Sequence, residues 1–346
     1  MSMNTTGANP SGGPVRRTFL KMCGAAVAAQ AATRDQRVRF GQTDLYVSRL
    51  CQGTAFRKVT REANDSAGQA ILHRCLDLGI NFFDSSNAYG WGGAEMALGK
   101  AIAGRRDQVV IATKVSPSLK PEGNTPSGKT RLSRDFVFTQ VEGSLRRLKT
   151  DHIDLYLYHS PDNETRSEEL AETMDSLVRA GKIRYWGASN FSPPQIGEFI
   201  ELAKRKGKAP IAGLEDYYNI IAGTRRDFME NELFPLIRRG RLGLMAFSPL
   251  AEGRLAPDRP VDPGKPWAHV VAALDSVARE LGATRPQVCI AWMLAHNEVT
   301  SVLAGAEEPR HVEDNLRGTQ LVLSPSALKT LNAASDRLRG IDTSGR

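Results

Sequence analysis

The feature that most constrains the fold of this chain is a regular alternation of short apolar runs with longer amphipathic stretches. Eight apolar runs of strand length are separated by segments that have the apolar spacing of α-helices. Strands that alternate with helices imply a parallel sheet, because each helix returns the chain to the start of the next strand. The predicted strands span residues 50–53, 81–84, 109–114, 153–159, 185–189, 213–218, 243–247 and 299–303.

Two architectures are compatible with this order: an open doubly wound sheet and a closed barrel. The number of strands favours a (β/α)₈ TIM barrel, with functional groups at the carboxyl ends of the strands. We expect an N-terminal β-hairpin in residues 37–47 and a C-terminal helical tail in residues 327–338. Residues 34–346 are predicted to form a single domain, in which the long insertion 116–133 is a lid or binding loop.

The first 33 residues form a separate predicted segment. Residues 1–14 are rich in small and polar residues, and Arg16 and Arg17 precede a run of small residues. This order is typical of a cleaved leader and resembles a bacterial twin-arginine signal. It predicts export to the periplasm. The alternative is a disordered basic tail on a cytoplasmic protein.

Charge and composition argue against several classes of function. The net charge is +8, but the basic doublets are scattered and are not interleaved with aromatic residues, so we expect no nucleic-acid partner. No uninterrupted apolar stretch reaches the length of about 18 residues that a membrane span needs. The four cysteines lack metal-type spacing and form no disulfide framework. We therefore predict no metal site.

Four polar residues lie at or just after predicted strands: Asp84, Tyr89, Lys114 and His159. Each could instead cap a turn, face solvent or pack in a loop. Together they suit carbonyl reduction, because hydride addition creates an alkoxide that needs a proton. Tyr89 could donate that proton if the nearby Lys114 made it more acidic, with Asp84 holding Lys114 in its charged form. His159 could orient the carbonyl oxygen.

Three motifs extend this interpretation. They are FFDSSNAYG at residues 82–90, IATK at 111–114 and DLYLYHSPD at 154–162. With these motifs the chain resembles the aldo-keto reductase family from about residue 37 to 340. The resemblance implies a TIM barrel that reduces a small-molecule carbonyl with NADP(H) or NAD(H). It also implies that the four strand-end residues are the catalytic tetrad.

The cofactor side shows no Rossmann loop, since residues 90–95 place Glu95 where the last glycine of the fingerprint would stand. The family binds an extended dinucleotide across the barrel mouth instead. The resemblance assigns contacts with the nicotinamide to Ser189, Asn190 and Glu215. It assigns stacking on the ring and contacts with the pyrophosphate to Phe247, Ser248 and Leu250. It assigns the adenosine end to Gly305, Glu307, His311, Asp314 and Asn315.

Three of these positions depart from the family pattern at the nicotinamide and pyrophosphate. Glu215 stands where glutamine is common, and a carboxylate can accept a hydrogen bond from the carboxamide but cannot donate one. Phe247 stands where tyrosine is usual, which keeps the stacking face and removes the hydroxyl. Ala251 replaces a common glycine in the pyrophosphate loop.

The adenosine end departs further. Glu307 and Glu308 flank the expected position of a 2′-phosphate, and His311 stands where many NADPH-dependent members have arginine. Carboxylates repel a phosphate and accept hydrogen bonds from a ribose hydroxyl. The hypothesis is relaxed cofactor selectivity or a preference for NADH.

Two other functions fit parts of the sequence. One is a non-catalytic dinucleotide-binding subunit resembling the potassium-channel β subunits, which keep the same four residues. The other is a barrel aldolase or isomerase with Lys114 as a Schiff-base lysine, although the neighbouring Asp84 would raise the pKa of that amine. The sequence leaves the substrate and the oligomeric state open, with an oligomer possible.

Overall fold

The computed structural model of the chain shows a closed barrel of eight parallel strands. Each strand pairs with the next along the chain, and the last pairs with the first. The predicted (β/α)₈ TIM barrel is confirmed, and the alternative of an open sheet is wrong. The barrel strands are β3 (Leu50–Gly53), β4 (Phe82–Asp84), β5 (Val110–Val115), β6 (Ile153–Tyr158), β7 (Ile183–Ser189), β8 (Ile211–Tyr217), β9 (Gly243–Phe247) and β10 (Ser301–Ala304).

An antiparallel hairpin, β1 (Val38–Arg39) and β2 (Tyr46–Val47), precedes the barrel as expected. Residues 3–33 of the predicted leader and most of the predicted lid lie outside the described part of the chain. Within the described part, no helix is long and apolar enough to cross a membrane. The structure describes residues 1–2, 37–62, 65–117, 131–162 and 164–343.

Helices surround the barrel, and local signals in the sequence account for many of their ends. Ser133 caps one helix by accepting a hydrogen bond from Phe136 N, and Gly207 and Gly282 end two others at positive φ. The helices are α1 (Ser66–Asp77), α2 (Gly93–Ala101), α3 (Arg134–Leu148), α4 (Ser167–Arg179), α5 (Pro193–Lys206), α6 (Thr224–Phe228), α7 (Phe234–Gly240), α8 (Ala268–Leu281), α9 (Arg285–Leu294), α10 (Pro309–Gly318) and the C-terminal α11 (Pro325–Asp336).

One helical region begins earlier than predicted. The amphipathic pattern of residues 231–239 predicts a single helix there, whereas the structure has helix from Thr224, which passes through a π turn, Met229–Leu233, into α7. Pro235 has no N–H to donate to the carbonyl of residue 231, and the π turn lies at that position. The first turn was missed because it is highly charged and shows no apolar periodicity.

The hairpin closes the amino-terminal end of the barrel. The ring of Phe40 is fully buried and meets Phe82 edge-on at a centroid distance of 5.8 Å. A Cβ atom on Gly213 would lie 2.4 Å from this ring, and one on Gly243 would lie 2.7 Å from it. Both strands therefore need glycine here. With this end filled by side chains, the opposite end, called the mouth below, is where strand carboxyl ends and loops meet.

Candidate active site

The four residues singled out at the strand ends meet at the mouth. Asp84 ends β4, Lys114 is the penultimate residue of β5, and Tyr89 begins a short 3₁₀ turn after β4. His159 directly follows β6 and donates its backbone N–H to Val115 O over 3.0 Å. Asp84 pairs with Ala112, two residues before Lys114, so the side chains of Asp84 and Lys114 lie on the same face of neighbouring strands, as the sequence interpretation requires.

A buried ion pair forms the centre of the site. Lys114 Nζ lies 2.6 Å from each carboxylate oxygen of Asp84 and 3.0 Å from Ser85 O. The Lys114 side chain is 0% exposed and that of Asp84 is 2% exposed. A buried ammonium is tolerated only when such partners replace its water. The same Nζ lies 3.4 Å from the Tyr89 hydroxyl, which places a cation beside the phenol.

The ionisation of these groups follows from burial and from their neighbours. Burial alone would lower the pKa of Lys114, but Asp84 and Glu215 raise it well above its usual value. Burial raises the pKa of Tyr89 above that of a free phenol, and Lys114 opposes this only in part. Desolvation thus outweighs the effect of the ammonium on the pKa of this phenol. Tyr89 is a protonated donor.

His159 is a neutral imidazole. Burial lowers its pKa to about 3, and the Lys114 ammonium acts in the same direction. Its ring meets the Tyr89 ring edge-on, with the centroids 5.6 Å apart. Asn190 Nδ2 donates to His159 O over 3.0 Å, which holds the backbone of the histidine in place.

Ser86, which the sequence interpretation did not single out, contacts the imidazole ring of His159. Ser86 Oγ accepts from Ala88 N over 3.1 Å and lies 3.1 Å from His159 Nδ1. If Nδ1 carried the proton, Ser86 would accept twice, and its own buried hydroxyl would donate to no described residue. An unsatisfied buried donor costs about 1–3 kcal/mol. We therefore expect Ser86 to donate to Nδ1, which leaves the proton on Nε2 for a substrate oxygen.

Glu215 belongs to the same cluster, a contact that the sequence did not indicate. Its Oε2 lies 3.2 Å from Lys114 Nζ, and its side chain is 4% exposed. Despite this distance, Oε2 makes no hydrogen bond of acceptable geometry with any described residue. Burial and the nearby Asp84 raise the pKa of Glu215 well above its usual value, against the effect of Lys114. Oε2 is therefore a buried atom held against the Lys114 ammonium.

The geometry agrees with comparisons to known proteins. Residues 49–336 match the model of the aldo/keto reductase family. The chain belongs to the aldo/keto reductase family. It therefore belongs with oxidoreductases that generally use NAD(P)H.

Individual relatives cover most of the chain. A Bacillus subtilis protein named as an uncharacterized oxidoreductase, YrpG, is 31% identical over 310 residues, covering 84% of this chain and 93% of the relative. A probable voltage-gated potassium channel subunit beta from Oryza sativa subsp. japonica is 30% identical over 323 residues, covering 86% and 96%. A protein of the same description from Arabidopsis thaliana is 31% identical over 321 residues, covering 85% and 94%.

The segment predicted to contact the nicotinamide is hydrogen-bonded to His159. Ser189 ends β7 and is 1% exposed, and Asn190 follows at a φ of +60°. Asn190 Nδ2 donates to Ser189 Oγ over 2.9 Å as well as to the His159 carbonyl. Together with the Glu215 carboxyl, these polar groups are chemically suited to a carboxamide, which both donates and accepts hydrogen bonds.

The predicted stacking residue, Phe247, ends β9 and meets Tyr217 edge-on at a centroid distance of 5.6 Å. Tyr217 Oη accepts a hydrogen bond from Arg254 over 2.8 Å. The sequence interpretation missed Tyr217 and Arg254. Tyr217 follows Glu215 by two positions in a strand, and its side chain therefore faces the same side. Leu250, in the loop after β9, is half-buried against the outer core.

Backbone strain concentrates at the mouth. Among the described residues of the mouth, five that are not glycine have positive φ: Trp91 at 51°, Asn190 at 60°, Ser248 at 63°, Ala251 at 49° and Glu252 at 60°. Such residues persist where the surrounding structure enforces the conformation, and they cluster at functional sites. In the loop after β9 the turn closes with Ala251 N donating to Ser248 O over 2.9 Å. Alanine thus occupies a turn where the family commonly has glycine.

The adenosine end is less acidic than the sequence suggested. Glu307 pairs with Arg57 at 2.8 Å, and Glu308 pairs with Arg310 at 2.7 Å. His311 Nδ1 accepts from Glu307 N over 3.4 Å, which places the histidine at the start of α10. Each carboxylate that was expected to repel a 2′-phosphate is therefore matched by a guanidinium.

The last two predicted contacts behave differently from each other. Asn315 Nδ2 donates to Gly305 O over 3.3 Å, at the turn that follows β10. Asp314 instead accepts hydrogen bonds from Thr284 Oγ1 and from Gln287 Nε2, at the start of α9. Its carboxylate joins two helices, so the structure gives it a packing role that spacing in the sequence could not show.

The role of Ser86 predicts a measurable histidine tautomer. Long-range ¹H–¹⁵N NMR spectra of the protein should show His159 protonated on Nε2, and Ser86→Ala should produce a mixture of both tautomers. His159→Gln identifies the signal. Ser85→Ala is the matched control, because Ser85 is equally buried and its hydroxyl accepts from Thr54 instead. A wild-type His159 protonated on Nδ1 would contradict the assignment.

Proposed function

We propose that this aldo/keto reductase uses NAD(P)H to reduce an aldehyde or ketone to an alcohol. The observation that carries the proposal is the buried Lys114–Asp84 pair beside the Tyr89 hydroxyl, with the neutral His159 ring against Tyr89. Tyr89 is the proton donor, Lys114 is the fixed cation and His159 is the neutral hydrogen-bond donor, and the three groups lie close together.

Each residue has a distinct task in that reaction. The bound dinucleotide would supply the hydride. The Tyr89 O–H bond breaks as its proton passes to the alkoxide oxygen, and the phenolate that remains is stabilised by Lys114 at 3.4 Å. Asp84 keeps Lys114 charged and in place. His159 Nε2–H orients the carbonyl oxygen before transfer.

The described segments of the mouth fit an extended dinucleotide. Ser189, Asn190 and Glu215 would hold the carboxamide, and the face of Phe247 would pack against the nicotinamide ring. Ser248, Leu250 and the turn around them would contact the pyrophosphate. Gly305, Glu307, His311 and Asn315 would surround the adenosine, with the N-terminus of α10 directed towards phosphate.

The second candidate is a dinucleotide-binding subunit without turnover. It is favoured by the relatives whose names describe potassium channel β subunits. The Schiff-base alternative is disfavoured, because a nucleophilic lysine needs a lowered pKa and the carboxyls around Lys114 raise it.

Replacing the proton donor tests the reaction. Tyr89→Phe should lower turnover of a substituted benzaldehyde by at least about 100-fold, since general acid catalysis contributes about 10²–10⁴. Dinucleotide affinity, followed by nicotinamide fluorescence, should change little. Tyr46→Phe on the exposed hairpin serves as the control and should keep full activity.

Other outcomes of that assay favour the alternatives. A wild-type protein that binds the dinucleotide and turns over no carbonyl is a binding subunit. Trapping of Lys114 by borohydride together with a carbonyl compound, without any use of dinucleotide, supports the Schiff-base enzyme.

The paired charges at the adenosine end predict weak discrimination between the two dinucleotides. Because Arg57 and Arg310 are already neutralised by Glu307 and Glu308, a 2′-phosphate gains little net attraction. The Kd values for NADPH and NADH should differ by less than about tenfold, or about 1.4 kcal/mol. NADPH binding at least tenfold tighter than NADH binding refutes this expectation.

We propose that residues 1–33 direct export through the twin-arginine route. Support comes from the sequence, in which Arg16 and Arg17 precede a run of small residues. Mass spectrometry of the protein from periplasmic fractions should find a new N-terminus near residue 33. Replacing both arginines by lysine preserves the charge and should stop export. Full-length wild-type protein confined to the cytoplasm rejects the proposal.

A further inference from the structure

The Lys114 ammonium faces two buried carboxyl groups rather than one. Asp84 receives both short contacts from Lys114, at 2.6 Å each, whereas Glu215 Oε2 lies at 3.2 Å in poor hydrogen-bond geometry. The three side chains are at most 4% exposed. If all three groups were ionised, the cluster would carry one uncompensated negative charge out of contact with water.

No other group facing Glu215 in the described structure can supply a compensating charge. Cys51 on β3 interacts with the cluster, and burial raises its pKa, so the thiol is neutral. Tyr89 interacts with Glu215 as a protonated phenol. The charges that act on Glu215 come from Asp84 and Lys114. An isolated buried carboxylate is costly and is relieved by taking up a proton.

The contacts indicate which carboxyl holds that proton. Two short bonds to an ammonium stabilise the ionised form of Asp84, and Glu215 lacks an equivalent bond. Two interacting carboxyls titrate as a pair, and one of the two protons is lost only at a higher pH. The raised pKa of Glu215 agrees with this assignment from geometry.

We propose that Glu215 works as a neutral carboxylic acid that offers one donor and one acceptor to the nicotinamide carboxamide. This inference rests on the proposed function for the identity of the ligand. It corrects the sequence-based expectation that a glutamate here can only accept. A protonated carboxyl reproduces both hydrogen-bonding roles of the glutamine amide that the family commonly places at this position.

Ionisation of Glu215 would therefore weaken dinucleotide binding. A carboxylate loses the donor and leaves the ion cluster with excess negative charge. If only the neutral acid binds, the apparent Kd for NADPH rises about tenfold for each pH unit above the pKa of Glu215. A glutamine in its place cannot ionise, so Glu215→Gln should bind without that dependence.

Infrared spectroscopy of the protein without dinucleotide tests the proton directly. At pH 7 the wild-type spectrum should contain a carbonyl band of a protonated carboxyl, absent in Glu215→Gln. Selective ¹³C labelling of glutamate should shift this band. Glu95→Gln is the matched control, because Glu95 is also fully buried, bonded to Thr113 and Arg147, and this variant retains Glu215 and should keep the band.

Each outcome has a defined meaning. Absence of the band overturns the proposal. A band that does not shift when glutamate is labelled also overturns it, because the proton is then on Asp84. A glutamate band in a protein that binds neither NADPH nor NADH keeps the neutral acid and rejects the proposed function. A wild-type Kd that rises with pH, beside a flat Glu215→Gln profile, supports both. An equal rise in the two proteins removes Glu215 as the cause.

Discussion

The site depends on one ammonium group that is completely removed from water. Lys114 can remain charged inside the barrel only because the Asp84 carboxylate lies within 2.6 Å. Removing one partner of such a pair leaves an uncompensated buried charge and costs about 3–5 kcal/mol. The same cation lies beside the Tyr89 hydroxyl, adds to the effect of burial that keeps His159 neutral, and makes its two short bonds with Asp84 rather than with Glu215.

The barrel holds that cation with little freedom of movement. Asp84 and Lys114 lie on adjacent strands whose register is set by backbone pairing. Side chains such as Phe40 and Phe82 fill the amino-terminal end of the barrel on which these strands stand. The loops at the mouth add side chains in strained conformations, such as Asn190 and Ser248. Rigid strands thus carry the groups that must not move, and turns carry the groups that are expected to contact a ligand.

The resemblance to both oxidoreductases and channel β subunits is understandable from this arrangement. Groups that position a dinucleotide for hydride transfer also bind it. The same kind of site can therefore catalyse a reaction or only bind the dinucleotide. The difference lies in whether a carbonyl can reach the Tyr89 hydroxyl, because function depends on the site and not on the fold alone.

The sequence by itself determined the barrel, because eight strand-length runs separated by amphipathic helices have few other ways to bury their apolar faces. It also identified Asp84, Tyr89, Lys114 and His159, since each lies at or beside a strand end. Tertiary structure decided the remaining contacts. That Glu215 shares an ammonium with Asp84, and that Ser86 orients His159, depends on barrel closure bringing distant strand ends together. Local patterns carry no information about such distances.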